Sequence, residues 1–405
     1  MFGAPKTNNP SPSSKTLRIS AVLPLGGHGQ RILAGAVQRF ASAKRLWSLR
    51  PVDPDSPLII EELEQWAPQG VMVLSTQTKV IDWCRLKSIP YISLLGGRDS
   101  LPQHPFNASI DDLAVGRVAA EYFLHRGYRN FAFVGNGNYA FSLERQDGFE
   151  STLRAAGAKV RDFIHSTPEF EERPKPRMLY HSAMAKWLKG LPKPTALFAG
   201  NDWEALAVIQ ACNENGIRVP DDVAVLGAND DKLVCRLCLP RISSVKLPFS
   251  RLGQEAASML LAATRSAKST GEPKTLLLPP ISVISRNSSV EYNVTNPVVR
   301  QALDMMRTEI HKPFKIHHLL KHIGVSRPSL ERYFKEELGE TPLVTLRKLR
   351  LDRAKTLLAD TQLNNAEIAA QTGFTSNIRF VTAFKQMVGI PPGSYRENLQ
   401  FEELD

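Results

Sequence analysis

Cysteine is scarce in this chain, with four residues among 405. Cys84 and Cys212 fall in helical patterns, where an isolated thiol is usually buried, so no disulfide framework is expected. Cys235 and Cys238 form a C-x-x-C with no second pair and no histidine partners, which leaves a zinc site incomplete. Reduced thiols of a cytoplasmic protein fit this usage. Long apolar runs are also missing. No stretch approaches the ~18 residues a membrane-spanning helix needs. The opening MFGAPKTNNPSPSSKT lacks the apolar core of a signal peptide, and its Pro, Ser and Asn content predicts a disordered tail over residues 1–16. Nor does the chain pair a nucleophile with a base, gather a metal constellation or carry a cofactor fingerprint. The turn GGHGQ is neither G-x-G-x-x-G nor a Walker loop; it reads as a binding-cleft loop. No cofactor and no metal are expected.

Length and composition fit two or three soluble globular domains: 42% of residues are hydrophobic and 22% charged. From Leu17 onward, continuous apolar strands alternate with helical patterns. Strands are expected at Leu17–Leu23, Gly70–Ser75, Tyr91–Leu95, Asn130–Gly135, Thr195–Gly200 and Val223–Ala228. Helices are expected at 30–43, 76–87, 113–126, 142–156, 183–191 and 203–215. That alternation implies parallel sheets covered on both faces, with ligands at the carboxyl ends of their strands.

After residue 297 the strands stop. FKIHHLLKHIGVSRPSLERYFK holds a short amphipathic run ending at Gly324, then Ser326 as the cap of a second helix burying Leu330 and Phe334. Further on, Ile368 and Ala369 lead to Gly373, and Thr375 or Ser376 caps a helix burying Phe380 and Phe384. Leu343–Leu358 joins the two units as one long helix. Between Thr295 and Arg396 there are 16 Lys/Arg against 9 Asp/Glu, within a chain of net charge +11, a balance suited to a phosphate backbone. With Leu330 and Phe334 inward, the first helix offers Ser326, Arg327, Pro328, Glu331, Arg332 and Lys335 to DNA. The second offers Asn377, Ile378, Arg379, Thr382 and Lys385. Arginine grips guanine with two donors, and glutamate accepts from cytosine. Solvation of a helix face is the alternative for any single charge.

The tandem units and the ending built on Gly373, Phe374, Phe380, Phe384, Lys385, Gly389, Pro391, Tyr395 and Arg396 resemble the AraC family of transcription regulators. SIDDLAVGRVAAEYFLHRGYRNFAFVG, ERQDGF and FAGNDWEALAVIQACNENGIRVPDDVAVLGANDD resemble the ligand-binding core of LacI-type repressors and periplasmic sugar-binding proteins. The combination is similar to the xylose-operon regulators of enteric bacteria. The resemblance implies two α/β subdomains around a cleft over 17–286, a polar linker at 287–296 and an all-α DNA-binding domain over 297–405. It also implies a ligand set. Asp111 meets ligand hydroxyls or caps its helix, and Arg145 grips sugar hydroxyls or a carboxylate. Asn201 supplies a pocket amide or a cap, and Phe141 stacks on a sugar ring or packs the core. Asn229 stands where the family has aspartate; an amide both donates and accepts, so the ligand's hydroxyl pattern differs or Asp230 takes over.

The expected function is a sugar-responsive transcription regulator of activator type that binds double-stranded operator DNA and a monosaccharide. RNA polymerase and a second copy of the chain are expected partners, and no membrane is. The alternative is an enzyme acting on a sugar or nucleotide in the same cleft.

Overall fold

The computed structural model describes residues 16–44, 47–99, 104–166, 174–265, 274–289 and 292–400; nearly all of the expected tail lies outside them. The chain divides into two compact units, one holding the residues up to Ser109 and Phe249–Leu277, the other Ile110–Pro248 and the chain from Leu278 onward.

The chain runs through β1 (Leu17–Val22), α1 (His28–Lys44), β2 (Trp47–Val52), α2 (Ile59–Trp66), β3 (Gly70–Leu74), α3 (Thr78–Leu86), β4 (Tyr91–Leu94) and β5 (Phe106–Ile110). It continues through α4 (Asp112–Leu124), β6 (Phe131–Asn136), α5 (Ala140–Ala155), β7 (Val160–His165), α6 (Pro174–Lys189), β8 (Thr195–Ala199), α7 (Asp202–Glu214), β9 (Val223–Asn229) and β10 (Ser243–Lys246). Then come α8 (Phe249–Arg265), β11 (Lys274–Leu278) and β12 (Ser282–Ile284). The first unit's sheet has the order β11-β5-β4-β3-β1-β2, and the second unit's β12-β10-β9-β8-β6-β7. In the second sheet only β12 runs antiparallel to its neighbour among the registered pairs. Both are the twisted, two-sided sheets that continuous apolar strands require.

The second unit also carries an all-helical part: α9 (Pro297–Thr308), α10 (Ile316–Ile323), α11 (Arg327–Leu338), α12 (Pro342–Asp360), α13 (Asn365–Gln371), α14 (Asn377–Val388) and α15 (Pro392–Gln400). Two cores form here. Val299, Leu303, Leu319, Leu330 and Phe334 pack with Leu346 and Leu349 of α12. Ile368, Phe380, Phe384 and Tyr395 pack with Leu351, Ala354 and Leu358 of the same helix. α12 therefore turns one face to each half. Each fully buried phenylalanine contributes about 1.5–3 kcal/mol.

The second of these cores also takes in Ile284 of β12. Ser282 Oγ and Tyr395 Oη hydrogen-bond at 2.5 Å, and Thr356 Oγ1 donates to Ser285 O at 2.8 Å. The helical part is thus packed onto the α/β part of its unit.

The segment 287–296, expected as a polar linker, is packed where it is described. Ser288 and Ser289 are completely buried, and Ser288 Oγ donates to Val225 O at 2.6 Å. Asn293 N donates to Arg126 O, and Thr295 N and Asn296 N donate to the carboxylate of Glu337. Asn287 and Thr295 of the segment are exposed.

Candidate effector pocket and nucleic-acid interface

Five of the second unit's strands point their carboxyl ends the same way, as parallel pairing requires. Arg145 lies at that edge, on α5. A Cβ on Gly116 would fall 2.1 Å from Arg145 O, and one on Gly148 would fall 2.1 Å from Leu113 O. Only two glycines let the α4 and α5 backbones approach this closely. That crossing brings Arg145 against Asp112 in the first turn of α4.

Arg145 is 3% exposed and its guanidinium is fixed on three sides. Nε donates to Asp112 Oδ1 at 2.7 Å, and Nη1 donates to Gly200 O at 2.7 Å and to Asn229 Oδ1 at 3.2 Å. Phe141, stacked on Tyr139 at 5.5 Å, lies 4.9 Å from the guanidinium carbon. Nη2 has no protein partner among the described residues. Arg145, Phe141 and Asn229 are therefore brought together, and Asp112 joins them. Sequence reasoning missed Asp112 because Asp111 beside it matched the expected position.

Asp111 and Asn201 both cap helices. Asp111 Oδ1 accepts from Ala114 N at 3.1 Å at the start of α4, and Asn201 Oδ1 accepts from Glu204 N at 2.9 Å at the start of α7. Capping occupies one oxygen of each. The Nδ2 of Asn201 keeps no protein partner among the described residues. Nearby, His165 Nε2 and Glu204 Oε1 lie 2.8 Å apart, a pairing no sequence spacing indicated.

Asp230 is placed differently. Its side chain is fully enclosed, with Oδ1 2.8 Å from Arg286 Nη2 and Oδ2 3.6 Å from Lys246 Nζ. Burial opposes its ionisation, but Arg286 and Lys246 together hold the carboxyl below its ordinary range. Both oxygens thus face cations of the protein rather than an open pocket. Asp202, beside it, accepts from Ser244 Oγ at 2.6 Å and from Asp231 N at 2.8 Å. Burial pushes the Asp202 carboxyl up to about 8. The thiols of Cys84 and Cys212 are pushed up to about 12 and that of Cys238 to about 11, also by burial. Such thiols are inert nucleophiles.

The helical part presents two N-capped helices. Ser326 Oγ accepts from Ser329 N at 3.3 Å to open α11, after Gly324 ends α10 at φ +76°. Ser376, not Thr375, caps α14 by accepting from Arg379 N. Leu330, Phe334, Phe380 and Phe384 are all completely buried. Ser326, Arg327, Pro328, Arg332, Lys335, Asn377, Ile378, Arg379, Thr382 and Lys385 are exposed, and Glu331 is half-buried. Arg327 Nε donates to Glu331 Oε1 at 2.8 Å, so these two neutralise each other in the unbound protein. Ile378 is 78% exposed, as single apolar side chains on protein surfaces commonly are.

Comparison with known proteins places both halves. Residues 120–289 match the periplasmic binding protein-like domain, and residues 319–398 match a helix-turn-helix domain. The xylose operon regulatory protein of Haemophilus influenzae is 27% identical over 381 residues, covering 92% of this chain and 95% of that protein. Its Escherichia coli counterpart is 26% identical over 376 residues, covering 91% and 94%. The chain is a homologue of the xylose operon regulatory proteins. A solved structure of a xylose-binding transcription activator superposes with a TM-score of 0.60 at 25% identity, covering 95% of this chain and 98% of that one. These homologues are transcription regulators, and the shared length takes in both the sugar-binding fold and the helix-turn-helix part.

Proposed function

We propose that the chain is a sequence-specific DNA-binding transcription regulator, of activator type, whose effector is xylose or a closely related monosaccharide. The observation that carries this reading is the fixed guanidinium of Arg145, with Nη2 unpartnered, in the same compact unit as two capped helix-turn-helix elements. Arg145, Asn229 and Asn201 supply the donors and acceptors that sugar hydroxyls need, and Phe141 supplies an apolar ring face. Asp111, which caps α4 beside Asp112, belongs to the same proposed ligand set. Among the described residues, no nucleophile is set beside a base at this edge in the manner that catalysis of acyl or glycosyl transfer requires.

The effector acts by binding one conformational state better than another, since only differential affinity moves such an equilibrium. DNA is read by α11 and α14, through the exposed residues named above. The reading extends to a homodimer on a two-part operator, to contact with RNA polymerase and to a cytoplasmic setting. Among the described residues, no helix is long and apolar enough to cross a membrane.

A thermal-shift panel of pentoses and hexoses tests the sugar assignment. A ligand that binds only the folded state adds about 2.7 kcal/mol of stability at a hundredfold excess over its Kd. Xylose or a near relative is expected to raise the melting temperature, and Arg145→Lys, which keeps a charge for Asp112 but loses the planar fork, is expected to remove that rise. A panel in which no sugar shifts the wild-type protein contradicts the assignment.

A further inference from the structure

We infer that Asn229 and Asp230 form a coupling joint between the effector pocket and the DNA-reading helices, one residue facing each way. This rests on the sugar-regulator reading above. Asn229 Oδ1 accepts from Arg145 Nη1 at 3.2 Å. The next residue, Asp230, meets Arg286 Nη2 at 2.8 Å, and that same nitrogen lies 3.2 Å from Asp360 Oδ1. Asp360 is the last residue of α12. A single buried arginine thus joins the end of β9 to the end of the long helix that both helix-turn-helix cores share.

Three features suit these residues to transmit a change. First, the joint is strained: Asn229 has φ +110° and Asp230 φ +56°, two successive non-glycine residues in a region that side chains avoid. Such geometry persists only where the surroundings impose it, so altering what Arg145 holds alters what Asn229 must satisfy. Second, among the described residues the Asp230 carboxylate is held chiefly by the charges of Arg286, 2.8 Å from Oδ1, and Lys246, 3.6 Å from Oδ2, rather than by a set of well-aligned hydrogen bonds. Charge alone fixes position less tightly than directional bonds do. Third, Asp360 puts a negative group at the negative end of a helix dipole, an unfavourable placement offset by Arg286 and by Arg236, whose Nη2 is 3.5 Å away. The end of α12 is therefore held where it is by the arginines that Asp230 helps to hold. From there the chain passes directly into α13 and the reading helix α14, packed on the same core.

Physical coupling is shown by energetics, not by adjacency. The test measures operator affinity of the full chain by fluorescence anisotropy, without and with saturating xylose. In wild type the ratio of the two affinities departs from one. Asp360→Asn and Arg286→Lys are expected to bind both xylose and operator while that ratio falls to about one. Thr356→Val removes the bond from Thr356 Oγ1 to Ser285 O at 2.8 Å but leaves the bridge intact, and is expected to keep the wild-type ratio. If both bridge variants keep the wild-type ratio, or if Thr356→Val loses it as completely, the joint is overturned. A wild-type protein that does not bind xylose overturns the sugar reading instead, and the joint with it.

Discussion

Arg126 Nη2 lies 2.7 Å from Asp352 Oδ2, an ion pair joining the end of the first α/β helix of the second unit to the middle of α12. Arg126 is nearly sealed from solvent, lies 3.5 Å from the centre of the Tyr122 ring and donates from Nη1 to Tyr122 O. Burial works against its charge, and Tyr122 and Asp352 more than compensate, so its pKa is raised.

Removing one partner of such a pair leaves a buried charge alone, at about 3–5 kcal/mol. Asp352 keeps a quarter of its side chain in solvent, which puts Asp352→Ala at the low end, about 3 kcal/mol. Urea unfolding followed by circular dichroism is expected to show the whole second unit shifted to a lower midpoint. A shift confined to the helical part, with the α/β part unchanged, contradicts the interlock.

A pH effect follows from Asp202. Its folded pKa, about 8, lies above the ordinary 3.8, so the folded state keeps a proton that the unfolded state has already lost. The stability this contributes is present at low pH and is lost as pH rises between about 4 and 8, by at most about 1.4 kcal/mol per pH unit. Asp202→Asn holds a permanently neutral group there, able to accept from Asp231 N and donate to Ser244 Oγ. The stability of wild type relative to this variant is expected to decline across that window. A difference that does not change with pH contradicts the protonated carboxyl.

The two reading helices are expected to differ in stringency. α11 carries Arg332, with no acidic partner among the described residues, and Arg327 paired to Glu331, whereas α14 offers Asn377, Ile378 and Thr382 beside Arg379. Arg332→Ala is expected to cost about 1–3 kcal/mol and relax preference at one base pair. Lys385→Ala, at the proposed phosphate contact, is expected to weaken all sequences alike and to lower the salt slope by about one. In vitro site selection decides between them: an unchanged sequence preference in Arg332→Ala contradicts the placement of α11 in the groove.

Much of this was legible in the residues. The six mainly apolar strands and the two helix-turn-helix cores follow from periodicity, because burial on both faces or on one stripe dictates those patterns. Strand β7 was not, since VRDFIH is an edge strand with mostly solvent-facing side chains. Strand β10 reads Ser-Ser-Val-Lys, and its polar residues are buried only because partners from distant parts of the chain meet them, Asp202 and Arg286 O among those. Helix α8 did announce itself, with Leu252, Ala256, Leu260 and Ala263 on one buried face, and was overlooked. Arg145 was legible from its motif, but its clamp by Asp112 depends on where two helices cross. The opposite facing of Asn229 and Asp230 depends on backbone angles that neither residue type prefers.

The central claim is that a monosaccharide controls specific DNA binding by this chain. It is tested most directly by measuring affinity for a DNA site selected in vitro, without and with saturating xylose, at one fixed salt concentration. Coupling of about 1–3 kcal/mol predicts a change of roughly 5- to 150-fold. An affinity that stays the same while calorimetry shows the sugar bound would contradict it.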